Sequence, residues 1–425
     1  MRDDVRKAVL TWHGGVPTAA SSAPDLAMPA APIPEAQEPV AQPSPRSRLR
    51  GADLRADETL PPDVATLWVT KAQAPGAQDA EATGERFQLT GGSGFGSLPA
   101  EQPLAEREQP KIALSSIGAD SGPRAGQVLN RMHAWSKGAE TLVEWLTELY
   151  RRIGDDLKLV IVDVTGFEIP WELFSIPADD NPDERLFIGA LVSVTRCQLG
   201  TLAKDDETLA TVYSEATEHS SGGVLAYLND KLGAIEVDRD ALSQLRAKRF
   251  GDVGDFQAFL ERGSGDYALV YLACHWIEGT GLDNAIGSTD RDQRLVLGDL
   301  ERGGLGLVRR CGSAVFLNVC NSALFSADKY VADDHLYGFP ALFLSHGARG
   351  VIGTVGEVLD EEAAAIGQRL LGAAAAHELP LPQLLQRERN AYVEAKKRGD
   401  IDDVQLLSIF MYVYHGSPRC TLRLG

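Results

Sequence analysis

Two short apolar segments, each of which stops at a polar and reactive residue, constrain the fold of this chain most strongly. They are VYLACHW at 270–276 and VFLNVCNSA at 315–323. Apolar, β-branched runs of this length are typical of strands that are buried on both faces of a parallel sheet. Because sites in open α/β sheets collect at the carboxyl ends of the strands, we expect His275 and Cys320 to lie at one edge of such a sheet.

The order and spacing of these two residues suit a cysteine nucleophile with a histidine base. His275 precedes Cys320 by 45 residues. Caspase-like proteases carry their histidine about 50 residues before the cysteine, although the caspase string Q-A-C-x-G is absent here. Polar neighbours (Asn318, Asn321 and Ser322) indicate that the strand leaves the core at Cys320, as a partly exposed nucleophile requires. The alternatives are a buried, unreactive cysteine and a structural histidine at a strand end.

The cysteines give no sign of a disulfide framework or of a metal site. They are an odd and sparse set without a C-x-x-C pair, which favours reduced thiols, and consist of Cys197, Cys274, Cys311, Cys320 and Cys420. Strand alternation predicts that Cys274 faces away from His275. A metal site built from Cys274, His275, Cys311 and Cys320 fits no zinc spacing, so we expect neither a metal nor another cofactor.

Charge and hydropathy exclude several classes of partner. The formal net charge is −19 and the pI is about 4.9, whereas nucleic-acid backbones and anionic membranes require a basic surface. No apolar run approaches the length of about 18 residues that a membrane-spanning helix needs. The N-terminus places acids and a glycine pair where a secretory signal needs an apolar core. We therefore expect a cytoplasmic protein whose partners are proteins, not nucleic acid or membrane.

The first 110 residues divide into a tail and a small β element. Residues 1–62 are rich in proline and alanine and poor in large apolar side chains, which predicts a disordered tail. An arginine cluster in the tail is either a solvated basic patch or a processing region for a protease; it consists of Arg46, Arg48, Arg50 and Arg55. VATLWVTK at 64–71 and ERFQLTGG at 85–92 predict a β-hairpin or two edge strands, so 63–110 is expected to be a small β-hairpin element and linker.

From residue 111 to 425, strand-like segments alternate with helical stretches. TLVEWLTELYRRI at 141–153 has one apolar helical face, and LKLVIVDVTG at 157–166 follows it as a buried strand. Further strands are predicted at 191–196, 223–228, 267–275, 313–320, 350–355 and 406–416, and further helices at 236–248, 252–262, 361–377 and 382–398. This alternation predicts an α/β domain with a mostly parallel sheet that is covered by helices on both faces.

The segment 111–425 resembles the CHAT family of caspase-like peptidases, a branch of the clan that contains caspases, metacaspases and separase. Besides the histidine and cysteine strands, the resemblance rests on FEIPWELFSI at 167–176, LFIGALVSVTR at 186–196, FPALFLSHGARGVIGTVGEVLDEEA at 339–363 and the closing FMYVYHGSP at 410–418. The order and spacing of these strings agree with the family. The resemblance implies a caspase-like α/β fold with about six strands in a mostly parallel sheet.

By this resemblance, Cys320 is the nucleophile, and His275 is the base that takes its proton and later protonates the leaving amine. Backbone N–H groups of Cys320 and Trp276 would hold the oxyanion. Trp276 stands where many relatives have glycine, so its side chain is expected to narrow or cover the cleft. Asn318 replaces the aspartate with which metacaspase-like enzymes bind a basic side chain, and it is a substrate-binding candidate.

Acids in the loops after the two motifs are the expected source of a preference for a basic residue before the scissile bond. They are Glu278, Asp283, Asp290, Asp292, Asp333 and Asp334, of which Asp283, Asp333 and Asp334 are the binding candidates. Solvated acids without a specific role are the alternative. The loop EGTGLDNAIGSTDRDQR at 278–294 is interpreted as a substrate flap, a maturation-cleavage site or an exposed hairpin.

The resemblance implies a latent cysteine endopeptidase of a bacterial defence pathway, such as antiviral defence or cell suicide. Such a zymogen would await an upstream protease or partner, and the proline-rich tail with its arginine cluster is the expected handle. Its substrates would be proteins. A catalytically inactive caspase-like scaffold that binds a partner protein is the alternative, since a fold does not dictate activity.

Overall fold

The structure is a computed structural model that describes the chain in nine segments. They are residues 60–71, 86–94, 107–112, 114–116, 122–178, 184–198, 215–290, 292–327 and 336–424. Nearly all of the proline-rich tail lies outside them, as do Asp333, Asp334 and the four arginines Arg46, Arg48, Arg50 and Arg55. The disorder of the tail, its processing and the substrate contacts of these two aspartates therefore stay predictions.

The described residues form the following strands and helices. The strands are β1 (Val64–Lys71), β2 (Arg86–Ser93), β3 (Arg107–Glu108), β4 (Lys158–Asp163), β5 (Ser175–Pro177), β6 (Arg185–Phe187), β7 (Ser193–Gln198), β8 (Glu218–Leu228), β9 (Ala247–Phe250), β10 (Tyr267–Ala273), β11 (His275–Ile277), β12 (Ala285–Gly287), β13 (Arg294–Val296), β14 (Ala314–Asn318), β15 (Ser326–Ala327), β16 (Leu336–Tyr337), β17 (Gly350–Thr354), β18 (Tyr412–Gly416) and β19 (Cys420–Leu424). The α-helices are α1 (Gly122–Lys137), α2 (Glu140–Ile153), α3 (Ile188–Leu191), α4 (Ile235–Ser243), α5 (Val253–Arg262), α6 (Leu297–Glu301), α7 (Gly306–Cys311), α8 (Phe339–Ser345), α9 (Asp360–Ala376), α10 (Leu381–Arg398) and α11 (Asp403–Met411). Short 3-10 helices cover Leu114–Ser116, Gly154–Asp156, Trp171–Leu173 and Gly281–Asp283.

Twelve of the described strands form one central sheet. Its order is β19-β8-β10-β14-β17-β18-β7-β4-β1-β2-β3, and β9 lies beside β8. The neighbours are parallel except for β17 with β18, β1 with β2, and β2 with β3. The predicted mostly parallel sheet is confirmed, but the strand number of about six is wrong. The sheet is larger because β1, half of the predicted hairpin, pairs along its length with β4.

The sheet consists of two halves that meet at β18 and β7. We call β1–β4 and β7 the N-terminal half-sheet, and β8–β10, β14 and β17–β19 the C-terminal half-sheet. At the seam between them, the strand register contains one pair, His415 of β18 with Arg196 of β7. Backbone pairing alone therefore joins the two halves weakly.

Helix α10 bridges this seam with polar side chains. Gln386 accepts a hydrogen bond from the Ser193 hydroxyl at 3.0 Å and donates to the Leu191 carbonyl at 2.6 Å, both in the N-terminal half. The buried Arg389 donates to the Tyr412 carbonyl at the start of β18. The helix thus satisfies backbone groups on both sides of the seam.

Helices cover both faces of the C-terminal half-sheet, as predicted. Along β10, Leu269, Tyr271 and Ala273 belong to one apolar core, and Val270 and Leu272 belong to another. The first core is completed by α1, α4 and α9–α11, and the second by α5–α8. A third core lies between the N-terminal half-sheet and α2. The period-two alternation of a doubly covered strand explains why these segments are apolar throughout.

The strand predicted at 406–416 is partly wrong. Helix α11 extends from Asp403 to Met411, and only Tyr412–Gly416 is a strand. The helix begins at a capping box between Asp402 and Gln405, and its C-terminal half is buried all round, so its sequence lacks a polar period. The helix predicted at 236–248 similarly ends at Ser243, and the residues that follow form β9.

Candidate active site

The pairing register of β10 and β14 brings His275 and Cys320 to equivalent positions at the carboxyl edge of the sheet. The two strands are parallel neighbours, and Ala273 pairs with Asn318, an offset of 45 residues. The same offset separates His275 from Cys320, so each lies two residues beyond this pair. Neighbouring strands are about 4.8 Å apart, so the segments that carry the two residues leave the sheet side by side.

His275 and Cys320 are both partly exposed and line a single cleft, which we call the Cys320 cleft. Its walls are formed by Leu232, Ala234, Asp238, Cys274, His275, Asn318, Val319, Cys320, Thr354, Val358, Asp360, Ala363, Ala364 and Tyr412. The cavity volume is about 30 Å³. That is room for about two water molecules.

The thiol of Cys320 lies against the backbone of Val358. Its Sγ accepts a hydrogen bond from the Val358 N–H at 3.4 Å and donates to the Val358 carbonyl at 3.5 Å. Burial raises the pKa of Cys320, the Val358 N–H lowers it, and the carboxylates of Glu357 and Asp360 raise it, with a net upward shift. The resting thiol is therefore protonated and needs a base before it can attack.

A tight turn held by β17 presents Cys320 at the end of β14. Asn321 has a positive φ of 56°, a conformation that asparagine tolerates better than most residues. Its N–H donates to the Gly356 carbonyl at 3.1 Å, and the Thr354 hydroxyl donates to the Val319 carbonyl at 2.7 Å. The strand therefore ends abruptly, and the side chain at 320 is left at the rim of the core.

A buried network of hydrogen bonds forms one wall of the Cys320 cleft. Tyr271 donates its hydroxyl proton to Asp238, and the Asn318 amide donates to Tyr271 Oη at 2.9 Å and to the Ala363 carbonyl at 3.1 Å. Tyr412 donates to Asn318 Oδ1 at 2.5 Å. Both amide hydrogens of Asn318 are thus used within the protein. Asn318 lines the cleft, and its contact with a substrate stays a prediction.

Two carboxylates of the cleft, Asp238 and Asp360, were not among the predicted substrate-binding residues. Asp238 is 2% exposed; burial raises its pKa to about 6, the Tyr271 hydroxyl lowers it and Asp360 raises it. Asp360 begins α9 and accepts a hydrogen bond from the Gly233 N–H at 3.0 Å. Asp360 belongs to the acidic string of the family resemblance, whereas no sequence signal distinguishes Asp238 from other helical acids.

Other predicted site residues lie outside the walls of this cleft. Trp276 on β11 packs its ring against Phe339, with centroids 6.0 Å apart, and against the second core. The expectation that its side chain narrows the cleft is therefore wrong, because β11 directs it to the core. The role of its N–H in an oxyanion hole stays a prediction. Asp283 is exposed on a 3-10 helix, and its substrate contact is likewise untested.

The loop 278–294 contains strands β12 and β13, which pair antiparallel to each other, while β12 also pairs with β11. Asp290 and Asp292 are exposed between β12 and β13, and Asp290 pairs with Lys231 at 2.5 Å. The loop is thus a hairpin with a buried first strand. Its use as a substrate flap or as a maturation site stays a prediction.

Cys274 packs in the second core together with Val270 and Leu272, whereas Ala273 belongs to the first core, as strand alternation predicts. Cys274 also lines the Cys320 cleft together with His275. The alternation of side chains thus continues one residue past the end of β10 at Ala273.

The described residues contain neither a cluster of metal-ligating side chains nor a membrane-spanning helix. In the described segments, no group of three or more His, Cys, Asp or Glu side chains is arranged to hold a metal ion. Each helix in the same part of the chain is too short or too polar to cross a lipid bilayer.

The N-terminal half-sheet has a polar edge of a different kind. Glu172 is 1% exposed and accepts two hydrogen bonds from the Arg196 guanidinium, one of them from Nε at 2.9 Å. Burial alone would raise the pKa of Glu172, but Arg196 and the nearby Arg389 hold it below its usual value. Burial also lowers the pKa of His415 to about 3, and the neighbouring Arg196 adds to this. These groups form a closed ionic cluster at the seam.

Comparison with solved structures gives matches of low TM-score, among them two that each cover about two thirds or more of this chain. Gingipain R, an arginine-specific cysteine proteinase, is 14% identical with a TM-score of 0.43, over 67% of this chain and 69% of that chain. The Saccharomyces cerevisiae separase in its complex with securin is 12% identical with a TM-score of 0.46, over 84% of this chain and 30% of that chain. This chain therefore spans less than a third of that separase.

Comparison at the level of sequence families gives a direct assignment. No curated protein matches the sequence. The CHAT domain, however, matches residues 139–408, which is more than half of the chain and includes both strand-end motifs. The matched segment covers FEIPWELFSI, the histidine and cysteine strands and the acidic string before α9. The chain belongs to the CHAT family of caspase-like cysteine peptidases.

Proposed function

We propose that the protein is a cysteine endopeptidase in which Cys320 is the nucleophile and His275 is the general base. The observation that carries the proposal is the matched register, which sets both residues two positions beyond a paired site of adjacent parallel strands, where they line one cleft. The raised pKa of the thiol makes a neighbouring base necessary.

The reaction would follow the acyl-transfer route of thiol proteases. His275 accepts the Cys320 proton as the sulfur attacks the carbonyl carbon of the scissile amide, and the protonated imidazole then gives the proton to the leaving amine. Water hydrolyses the acyl-enzyme with the same base. We assign the oxyanion to the N–H groups of Cys320 and Trp276, as the family resemblance implies.

A preference for a basic residue before the scissile bond is supported by Asp238 and Asp360. Both line the cleft beside the nucleophile, and a guanidinium or ammonium group is the natural partner of such carboxylates. A bound cation would also offset the repulsion that Asp360 exerts on the Cys320 thiolate. We propose these two residues in addition to the loop acids Asp283, Asp333 and Asp334, which stay predictions.

Latency is supported by the size of the cleft. A cavity of about 30 Å³ is far smaller than the pockets of about 300 Å³ and more that hold ligands. An arginine or lysine side chain therefore requires the walls to move, which is a step that a partner or an activating cleavage would supply. A defence role, an upstream activating protease and a cytoplasmic location belong to the same proposal and rest on the family resemblance.

The first test is co-expression of the wild type and Cys320→Ala, followed by profiling of all protein N-termini in the cell. New termini that appear with the wild type alone, preceded mainly by Arg or Lys, are the expected result. The chain's own termini in the same data show whether residues 44–58 or 278–294 are cut. A variant that lacks residues 1–59 repeats the comparison with the tail removed.

The second test uses peptide substrates that differ only in the residue before the scissile bond. His275→Ala is expected to lower kcat/KM by about 10²- to 10⁴-fold, which is the usual contribution of a positioned base. His346→Ala is the matched control, because His346 bonds to the Leu342 carbonyl at the end of α8. Identical N-terminal profiles for wild type and Cys320→Ala, with and without the tail, would instead identify a non-catalytic scaffold.

A further inference from the structure

One short loop contributes two of the residues that line the Cys320 cleft. Residues 230–234, which we call the latch, connect Asn229 after β8 to the start of α4. Leu232 and Ala234 of the latch both line the cleft, and the Leu232 side chain packs against the first core. The reaction proposed above gives this loop no role, although the loop borders the space that a substrate side chain has to enter.

The latch is firmly anchored at the residue that precedes it. Asn229 is 4% exposed. Its N–H donates to the Ala273 carbonyl at 2.9 Å, and its side-chain amide donates to the Gly287 carbonyl of β12 at 3.2 Å. Asn229 Oδ1 accepts a hydrogen bond from the Lys231 N–H at 3.1 Å. Asn229 is therefore a fixed point from which the latch extends along the cleft.

Beyond Asn229, polar contacts to three different elements hold the latch. They are Asp230 with Arg239 of α4 at 2.5 Å, Lys231 with Asp290 of the β12–β13 hairpin at 2.5 Å, and the Gly233 N–H with Asp360 Oδ2 of α9 at 3.0 Å. The three latch residues of these contacts are exposed. Water competes for exposed ion pairs and hydrogen bonds, so each contact contributes little. The latch can therefore open while the domain stays folded.

The contact with Asp360 differs from the other two, because this carboxylate also lines the cleft. While the Gly233 N–H is bonded to Oδ2, the carboxylate has a partner within the protein. A guanidinium or ammonium group is a charged donor and binds a carboxylate more strongly than a neutral backbone N–H does. Such a group can replace Gly233 at Asp360, and the same exchange releases the latch.

We infer that the latch is an autoinhibitory segment, in which the bond between Gly233 and Asp360 holds Leu232 at the cleft until a basic side chain takes over Asp360. The latch is then the wall whose movement the proposed latency requires, and it accounts for a cavity of about 30 Å³. The substrate's basic residue would act both as the ligand of Asp360 and as the signal for opening. This use of the latch rests on the proposed function, whereas its closure by Asp360 does not depend on proteolysis.

The first test removes the Gly233 N–H. Gly233→Pro lacks this donor, and Gly233→Ala is the matched control that keeps it. A Cβ at position 233 would lie 3.7 Å from Asp360 Oδ2, which is an ordinary contact, so alanine fits. Relative to the alanine variant, Gly233→Pro should raise kcat/KM by about 3- to 10-fold without an activator, because a larger fraction of the molecules has an open cleft.

Two further comparisons keep this test decisive. Lys231→Glu is a second variant in case proline disturbs the loop, since it turns the attraction to Asp290 into repulsion and should raise kcat/KM in the same direction. Peptides with Arg and with Gln before the scissile bond should gain alike, because both need the open cleft. No gain in either variant, or a gain for the Arg peptide alone, would overturn the latch.

The second test measures hydrogen exchange of the segment 229–235 by mass spectrometry in the full chain with Cys320→Ala, so that no cleavage interferes. Adding Asp360→Ala removes the acceptor and should speed exchange of this segment. Glu361→Ala, at the next and likewise exposed residue of α9, is the control and should not. Butylguanidinium should also speed exchange by displacing Gly233 from Asp360, whereas butylurea, which has a similar shape and no charge, should have no effect.

The outcomes separate this inference from the proposed function. Faster exchange with Asp360→Ala in a protein whose Cys320 form cleaves no peptide would support the closed latch and contradict the peptidase. An active peptidase with equal exchange in the Asp360→Ala and Glu361→Ala proteins would overturn the latch and leave the peptidase intact. Unchanged or slower exchange with butylguanidinium would contradict release of the latch by a cation.

Discussion

The two half-sheets carry polar residues at the same carboxyl edge and use them in opposite ways. In the N-terminal half-sheet, Asp163 bonds to the loop that follows β4, and Arg196 is tied to the buried Glu172. In the C-terminal half-sheet, His275 and Cys320 stay partly exposed in a cleft. The polar groups at the edge of the N-terminal half-sheet are thus paired within the protein. Those at the edge of the C-terminal half-sheet stay accessible to a substrate.

This difference shows that strand ends alone do not make a site. Both halves are built on parallel strands that end in polar residues, as the general position of sites in α/β sheets requires. In the N-terminal half, Arg196 forms an ion pair with the buried Glu172. This pair fixes the contact between β7 and the segment that follows β4. In the C-terminal half a sharp turn at Asn321 and a bordering cleft leave the sulfur at the surface.

The largest effect is expected from exchanging one cysteine in each half. Cys320→Ala should reduce kcat by about 10⁶-fold, as loss of a nucleophile does in other covalent proteases, and should leave thermal unfolding unchanged. Cys197→Ala, at the end of β7 in the N-terminal half, should retain activity because Cys197 is a buried apolar side chain. Equal activities of the two variants in a peptide assay would contradict the distinction between the half-sheets.

The ionic cluster of the N-terminal half should matter for stability more than any surface pair. Glu172→Gln leaves the buried Arg389 and the partly buried Arg196 without an anion and should lower the free energy of unfolding by about 3–5 kcal/mol. Because the pKa of Glu172 is lowered in the folded protein, its contribution is full above the unfolded pKa, near 4.5, and is lost as pH falls. The difference from wild type should therefore shrink in acid.

Urea unfolding at several pH values measures this contribution. Asp299→Asn is the matched control, since Asp299 forms an exposed pair with Arg302, and such pairs contribute about 0–1 kcal/mol. A Glu172→Gln variant as stable as this control would show that the cluster is not a structural clamp.

A carboxylate in the Cys320 cleft should show the reverse pH dependence. The pKa of Asp238 is raised to about 6 from 3.8, so its favourable contribution is full below about pH 4 and is lost as pH rises through about 6. Asp238→Asn should thus stabilise the protein above pH 7 by up to about 3 kcal/mol. The same change should weaken cleavage after Arg relative to cleavage after Gln.

Asp163→Asn provides the counterpart in the N-terminal half. Desolvation also raises the pKa of Asp163, yet this residue is remote from the cleft walls, so substrate preference should be unchanged. Steady-state kinetics with paired Arg and Gln peptides checks both variants. Loss of the Arg preference in Asp163→Asn, or its retention in Asp238→Asn, would remove Asp238 from the specificity pocket.

The smallest effect concerns the turns that follow β4 and β14. Gly166 has φ of 71° and Asn321 has φ of 56°, so the two halves use different residues for one backbone shape. Asn321→Gly should change stability by less than about 1 kcal/mol, because relief of the left-handed conformation offsets the added chain entropy. Gly166→Ala should destabilise by about 1 kcal/mol, which thermal unfolding resolves. A larger loss for Asn321→Gly would reveal a role of the asparagine side chain.

Much of the fold was predictable because buried parallel strands are apolar throughout. The segments that became β4, β10, β14 and β17 were recognised from this pattern alone. The pattern failed at α11, because a helix that is buried on every side is as apolar as a buried strand. Only its capping box distinguishes this helix from a strand. The size of the sheet was also missed, because pairing between β1 and β4 joins residues about 90 positions apart.

The site residues whose type and sequence context indicate catalysis are predictable from the sequence. The residues that only the fold brings to the cleft are not. His275 and Cys320 follow apolar strands, so the sequence alone predicts both as site residues. Asp238 is one of many acidic residues on helices. Its position at the cleft follows from the fold and not from a sequence pattern. The face of Cys274 is predictable too, since alternation along β10 puts it in the second core.

The chain could be split into two fragments so that each carries one of the two half-sheets. A break between Gln198 and Glu215 would leave one contiguous half-sheet on each fragment, with α10 on the second fragment carrying Gln386 and Arg389 to the acceptor groups of the first. The first fragment also contributes α1 to the first apolar core, which the second fragment completes. Each fragment could be fused to one of two other proteins. Binding of those two proteins would bring the fragments together and restore activity, so that proteolysis would detect the interaction.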